Sequence, residues 1–169
     1  MPIHAVYPGS FDPVTYGHLD IIRRASRIAG CDGWLTVAIL DNSEKQPLLS
    51  ADERRNCLTE LTKELKNVEI ASFTGLLTDF ARENGVNLII RGVRSAADYE
   101  YENVIAQVYG GLYDGAETVF LPADGRFAYL SSSVVREVAG RGGEVGHMTP
   151  PAVAELLKQK FNEKYREGM

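Results

Sequence analysis

Three short segments of this chain combine residue types that could grip an anion. The first is Tyr7-Pro8-Gly9-Ser10-Phe11-Asp12-Pro13-Val14-Thr15-Tyr16-Gly17-His18. Taken as a turn from a strand into a helix, it puts His18 in the first helical turn, where free backbone N–H groups and the helix dipole favour negative charge. An imidazole there can donate a hydrogen bond to a phosphate oxygen, and Gly9 and Gly17 would let the backbone approach a ligand closely. The same string also suits a plain strand–helix turn capped by Thr15. The second segment is Arg91-Gly92-Val93-Arg94, followed by Ser95, Asp98, Tyr101 and Glu102. Two arginines three apart at a strand end can hold phosphate through their forked donors. The third, Ser131-Ser132-Ser133-Val134-Val135-Arg136, offers three hydroxyls at a helix start, where a plain cap needs one.

The surrounding pattern says what must position them. Apolar runs at Ile3–Tyr7, Trp34–Leu40, Val68–Phe73, Leu88–Ile90 and Thr118–Leu121 predict five strands. Between and after them, helical spacing predicts helices over Gly17–Ala29, from Ser50 to about Leu65, over Leu76–Asn84, Asp98–Leu112 and Ser132–Ala139, and from Thr149-Pro150 to about Arg166. Ser50-Ala51-Asp52-Glu53 is a capping box, Gly85 closes the third helix, and Thr149 with Pro150 suits the start of the last. Strands whose apolar residues run on continuously instead of alternating, separated by helices, imply a parallel sheet covered on both faces. The expected fold is α/β: a single Rossmann-like doubly wound domain, 1–169, with a five-stranded parallel sheet. Ligands then sit beyond the carboxyl ends of the strands, where all three segments fall.

Composition narrows the function. The 169 residues include 44% hydrophobic and 24% charged residues, an ordinary soluble mixture, and the net charge of −5 argues against a nucleic-acid partner. Cys31 and Cys57 form no Cys-x-x-Cys pair, so neither a disulfide framework nor a cysteine zinc site is expected. Without a leader-like start or a run of ~20 apolar residues, no membrane partner and a cytoplasmic location are expected. There is no Gly-x-x-x-x-Gly-Lys-Ser/Thr loop and no Gly-x-Ser-x-Gly elbow. Gly140-Arg141-Gly142-Gly143 follows a helix and lacks dinucleotide-fold spacing. His4, at a strand start, and His147, in a late loop, read as structural, and no close His/Cys/Asp cluster suggests a protein-held metal.

Together, Tyr7 to Pro13, Thr15-x-Gly17-His18, Ile90-Arg91-Gly92-Val93-Arg94, Asp98-Tyr99-Glu100-Tyr101-Glu102 and Ser131-Ser132-Ser133-Val134 closely resemble the bacterial phosphopantetheine adenylyltransferases. The resemblance runs in register from about Ile3 to the final helix. The Thr-x-Gly-His loop marks the wider nucleotidyltransferase superfamily; the Arg-Gly-x-Arg segment running into Asp-Tyr-Glu-Tyr-Glu, with the triple serine, is more specific. The resemblance implies that ATP and 4′-phosphopantetheine give dephospho-coenzyme A and pyrophosphate, in the penultimate step of coenzyme A synthesis. It implies a catalytic His18, which also contacts ATP, and Ser10 touching both substrates. It implies further ATP contacts at Phe11, Gly92, Val93, Arg94, Glu102, Phe127, Ala128, Tyr129, Leu130, Ser131, Ser132 and Ser133. Lys45, Leu77 and Arg91 would line the pantetheine side. Magnesium, restraint by coenzyme A and a homohexamer are implied as well. Ser10 stands where threonine is common, keeping the hydroxyl. Glu44-Lys45-Gln46-Pro47 has one lysine where two are frequent, so Lys45 is aligned through Pro47. The tail beyond about Leu157 is assigned nothing.

The residue chemistry suits direct displacement: an acceptor phosphate oxygen attacks the α-phosphorus of ATP and pyrophosphate leaves opposite. An ionised phosphate needs no general base, only alignment and donors for the developing charge. Two other readings stay open on the residues alone. One is the same chemistry on another acceptor such as nicotinate mononucleotide; the other is a nucleotide-binding sensor without catalysis.

Overall fold

The computed structural model describes residues 1–41 and 46–167, with side chains through 163. The elements in chain order are β1 (His4–Gly9), α1 (Tyr16–Ala29), β2 (Trp34–Leu40), α2 (Ala51–Thr62), β3 (Val68–Phe73), α3 (Leu77–Glu83), β4 (Leu88–Val93), α4 (Ala96–Leu112), β5 (Glu117–Pro122), α5 (Ser132–Gly140) and α6 (Pro151–Glu167). The five strands form one sheet in the order β3-β2-β1-β4-β5, parallel at every pairing. Successive strands travel outward in one direction to β3, then return past β1 and continue the other way. The switch in direction lies between β1 and β4.

At that switch the sheet splits. β1 and β4 pair only at Ala5↔Leu88 and Val6↔Ile89. Yet β1 stays paired to β2 as far as Gly9↔Ile39, and β4 to β5 as far as Val93↔Pro122. The last three residues of β1 and the last four of β4 therefore diverge into a crevice. Beyond Val6, β1 has a partner on one side only, and such an edge tolerates Pro8.

Alternation along the strands feeds two cores. Ala5, Tyr7, Leu35, Val37 and Ile39 face α1, α2, α5 and α6, against Leu19, Ile22, Leu58, Val135, Val153 and Leu157. Val6, Ala38 and Ile89 face the other way, with Leu77, Ala81 and Val86, against Tyr109 and Tyr113. That is the two-sided cover expected of a doubly wound sheet. α4 buries no residue fully and leaves Tyr101, Val104, Val108 and Leu112 exposed. Among the described residues no helix is long and apolar enough to cross a membrane.

Several boundaries differ from expectation for physical reasons. β1 and β4 extend through Gly9 and Val93, because backbone ladders to β2 and β5 continue where the side chains cease to be apolar. α2 stops at Thr62, short of Leu65. α4 begins at Ala96, since Ser95 accepts from the Asp98 N–H and caps it. Thr149 does not cap α6. Its hydroxyl, fully buried, donates to the Val14 carbonyl at 2.6 Å, and the helix starts at Pro151. Together with the Tyr16 N–H, which donates to the Met148 carbonyl, this bond ties the entry of α1 to the approach to α6.

Candidate active site

Three hollows meet at Ser10. The first, about 290 Å³, lies in the crevice among Tyr7, His18, Arg91, Gly92, Arg94, Phe127, Leu130, Ser131 and Ser132. A second, also about 290 Å³, opens on the β2 side and is lined by Leu40, Phe73, Leu76, Leu77, Arg91 and Tyr109. The third, about 650 Å³, is bounded by Asp12, Gln46, Arg54, Ser132, Ser133, Arg136 and Phe161. Ser10 lines all three, and Arg91 lines the first two. One hollow is thus rich in charged and polar side chains, its neighbour is lined chiefly by aliphatic and aromatic ones, and a hydroxyl and a guanidinium stand at their junction. Two ligands joined through a phosphate would meet there.

His18 is the third residue of α1, and a reciprocal cap fixes its ring. Thr15 Oγ1 accepts from the His18 N–H at 3.3 Å, and the Thr15 N–H donates to His18 Nδ1 at 3.0 Å. A backbone N–H can only donate, so Nδ1 carries no proton and the neutral ring bears its hydrogen on Nε2. The ring lines the first hollow and is half-buried there. Burial, with help from the nearby Arg94 cation, lowers its pKa to about 4. At neutral pH His18 is an uncharged donor aimed by its own cap.

This shift makes stability depend on pH. An unfolded histidine protonates near pH 6.5, whereas folded His18 resists protonation until about 4. Between those values the unfolded chain binds more protons, so stability climbs with pH and is lost as pH falls through the window. His4, lowered by burial, adds in the same direction. Urea unfolding at several pH values should show this slope, and His18→Gln should make it shallower. An unchanged slope would mean that the ring is not desolvated.

Phe11 builds the floor under this histidine. Its φ is 49°, in the left-handed region that favours glycine, and its ring is 1% exposed. The ring meets His18 edge-on at 5.1 Å and Tyr7 at 5.6 Å. Phe11 lines none of the three hollows. Gly9 serves the same packing, because a Cβ there would lie 2.9 Å from Phe11 Cζ. At Gly17 a Cβ would make only ordinary contacts, so close approach does not require glycine. At Gly92 a Cβ would lie 3.2 Å from Ile21 Cγ1, a tight contact that the Ile21 side chain would have to relieve by a few tenths of an ångström.

The arginines arrive already partnered. Arg91 Nε and Nη2 donate to Glu102 at 2.6 and 2.7 Å, leaving Nη1 uncommitted among the described residues. Burial opposes the Arg91 charge, but the Glu102 carboxylate outweighs it and holds the pKa above its ordinary value. Arg94 Nε and Nη2 donate to Asp98 at 2.7 and 3.0 Å, and its Nη1 to the Leu130 carbonyl. Glu102 thus acts here on Arg91. The serines divide their tasks: Ser131 caps α5, Ser132 donates to the Pro13 carbonyl at 2.8 Å, and Ser133 has, among the described residues, a long contact from Arg136. Val93 ends β4, and Ala128 and Tyr129 do not line the crevice. Lys45 lies outside the described residues. Asp12, Arg54 and Arg136 were not singled out as site residues from the sequence, yet they line the largest hollow.

A parallel sheet split at its switch point, with a capped histidine beside clustered arginines, is the frame of a nucleotidyltransferase. The cytidylyltransferase-like family model matches residues 6–138. The chain belongs to that family and, within it, to the phosphopantetheine adenylyltransferases. It is 47% identical over 159 residues to the phosphopantetheine adenylyltransferase of Prochlorococcus marinus (strain MIT 9211), covering 93% of this chain and 98% of the relative. To that of Geotalea daltonii it is 45% identical over 163 residues, covering 96% and 99%. The fold also matches the Plasmodium falciparum nicotinic acid mononucleotide adenylyltransferase, with a TM-score of 0.60 at 14% identity, over 98% of this chain and 96% of that one.

Proposed function

We propose that this chain transfers the adenylyl group of ATP to 4′-phosphopantetheine, giving dephospho-coenzyme A and pyrophosphate. The observation that carries the reading is the junction at Ser10 and Arg91, where a charged hollow holding His18 meets an apolar one. Two substrates brought to that junction have their phosphates side by side. The adenylyl side is the crevice, with Gly92, Arg94, Phe127 and Leu130 to Ser132 around it. The pantetheine arm, largely apolar with two amides, suits the hollow of Leu76, Leu77, Phe73 and Tyr109.

An oxygen of the acceptor phosphate attacks the α-phosphorus. The bond from that phosphorus to the bridging oxygen breaks, and pyrophosphate leaves with the electron pair. No proton need be removed from an ionised phosphate. His18 Nε2–H donates to an α-phosphoryl oxygen as charge builds, and Arg91 Nη1 and the Ser10 hydroxyl hold the attacking phosphate. Asp98 and Glu102, the carboxylates at the crevice, are engaged by arginines. Magnesium would then be held by the phosphates of ATP and not by these carboxylates, and would help offset the phosphate charge. Coenzyme A, which carries the same arm, would compete for the apolar hollow. The exposed apolar face of α4 supports assembly into the hexamer that the resemblance implies.

The test follows pyrophosphate release with ATP and, separately, 4′-phosphopantetheine, nicotinate mononucleotide or no acceptor. Release with phosphopantetheine alone is expected. Release with the mononucleotide instead would move the acceptor, and none with any acceptor would make the protein a nucleotide sensor.

A further inference from the structure

The guanidinium of Arg54 is 2% exposed, yet among the described residues only one carboxylate, that of Asp41, touches it. Its other contacts are backbone carbonyls from three separate segments. Nε donates to Leu49 and Ser50 at the start of α2, at 3.2 and 3.3 Å. Nη1 donates to the Ser10 carbonyl at 3.0 Å and to that of Leu40, the last residue of β2, at 3.3 Å. Nη2 reaches Asp41 Oδ1 at 3.1 Å. Burying a cation on carbonyls is costly, and an apolar side chain would fill the space under a helix more cheaply. What an apolar side chain cannot do is hold three chain segments at fixed distances. All three lie at the carboxyl edge of the sheet, and one of them is Ser10, which lines every hollow. A second tie runs parallel: the buried Asp12 carboxylate accepts from the N–H groups of Leu48 and Leu49, both at 2.9 Å.

We infer that Arg54 is a positioning residue for the transfer, setting Ser10 against the end of β2 and the start of α2 so that the acceptor phosphate meets ATP in line. The inference rests on the adenylyl-transfer reading above. Arg54 makes no contact with Gly92, Arg94 or the α5 serines, so ATP binding should be largely spared. The geometry of the acceptor phosphate, held beside Ser10, should not. A lysine keeps the charge but reaches one point where the fork spans three.

The test is steady-state kinetics on wild type, Arg54→Lys and Asp41→Asn, each corrected for folded fraction by thermal melting. Wild-type turnover with phosphopantetheine in the same assay checks the underlying reading independently. Arg54→Lys is expected to lower kcat per folded molecule about 10²-fold and to raise the acceptor KM about tenfold, with the ATP KM within about threefold, since misplacement near 1 Å has effects of this size. Asp41→Asn, which loosens one corner of the clamp at the protein surface, should shift kcat in the same direction by a smaller factor. Because Arg54 lines the largest hollow, added guanidinium should restore part of the turnover of Arg54→Ala. Normal kcat in folded Arg54→Lys, or activity lost only in step with folded protein, would overturn the inference. Should Arg54→Lys fail to fold, unchanged kcat in Asp41→Asn would overturn it.

Discussion

Replacing His18 with alanine is expected to lower turnover about 10²–10³-fold, the usual consequence of losing one donor to a developing oxyanion. Both substrate KM values should change little, because the bond strengthens mainly in the transition state. The melting temperature should fall modestly at neutral pH, because the Thr15 N–H loses its Nδ1 acceptor while the Thr15 hydroxyl still accepts from the residue-18 N–H. The shape of the pH profile separates this role from that of a cationic histidine. With a pKa near 4, His18 stays neutral from pH 5 to 8, so turnover should rise only as the acceptor phosphate loses its second proton near pH 6, then level off. A fall through pH 6.5 would mark a histidine that works as the imidazolium. Near-normal turnover in folded His18→Ala would remove it from the mechanism.

Removing Arg91 should have two separable consequences. Arg91→Ala leaves the mostly buried Glu102 carboxylate without its fork, which should reduce stability by about 1–3 kcal/mol. It should also weaken the acceptor phosphate by roughly ten- to hundredfold through the lost charge-assisted bond. Adding Glu102→Ala removes the stranded charge, so the double variant should regain much of the stability and none of the acceptor affinity. Chemical denaturation and acceptor KM measured on both variants check this. Recovery of both properties together would show Arg91 to be only the partner of Glu102.

These partnerships also show where sequence reasoning reaches its limit. β2 and β3 were legible to the residue because Trp34–Leu40 has a wholly buried middle between exposed ends, and Val68, Ile70, Ala71 and Phe73 take partly or fully buried positions in Val68–Phe73. The capping box at Ser50 was legible because it is encoded within four residues. β4 was not, since Arg91 and Gly92 interrupt the apolar pattern while its backbone continues to pair with β5. The Thr15–His18 motif located a loop of the candidate site, but not the direction of its hydrogen bonds, which set the tautomer. The resemblance gives Phe11 as an ATP contact, and nothing local reveals the left-handed backbone that folds its ring under His18. Arg54 sat in a charged run, Asp52-Glu53-Arg54-Arg55, that resembles a solvated helix face. Only tertiary packing of the strand ends over α2 takes one of these four charges inside. Short-range chemistry was readable; long-range pairing was not.

On the proposed mechanism His18 donates a hydrogen bond from a neutral ring while the acceptor itself displaces pyrophosphate, with no adenylyl group ever carried on the protein. Exchange of labelled pyrophosphate into ATP tests it most directly. Direct displacement predicts exchange only when phosphopantetheine or dephospho-coenzyme A is present, because pyrophosphate can re-form ATP only from a transferred adenylyl group. Robust exchange with enzyme, ATP and pyrophosphate alone would show an adenylylated residue, with His18 the first candidate, and would contradict the account.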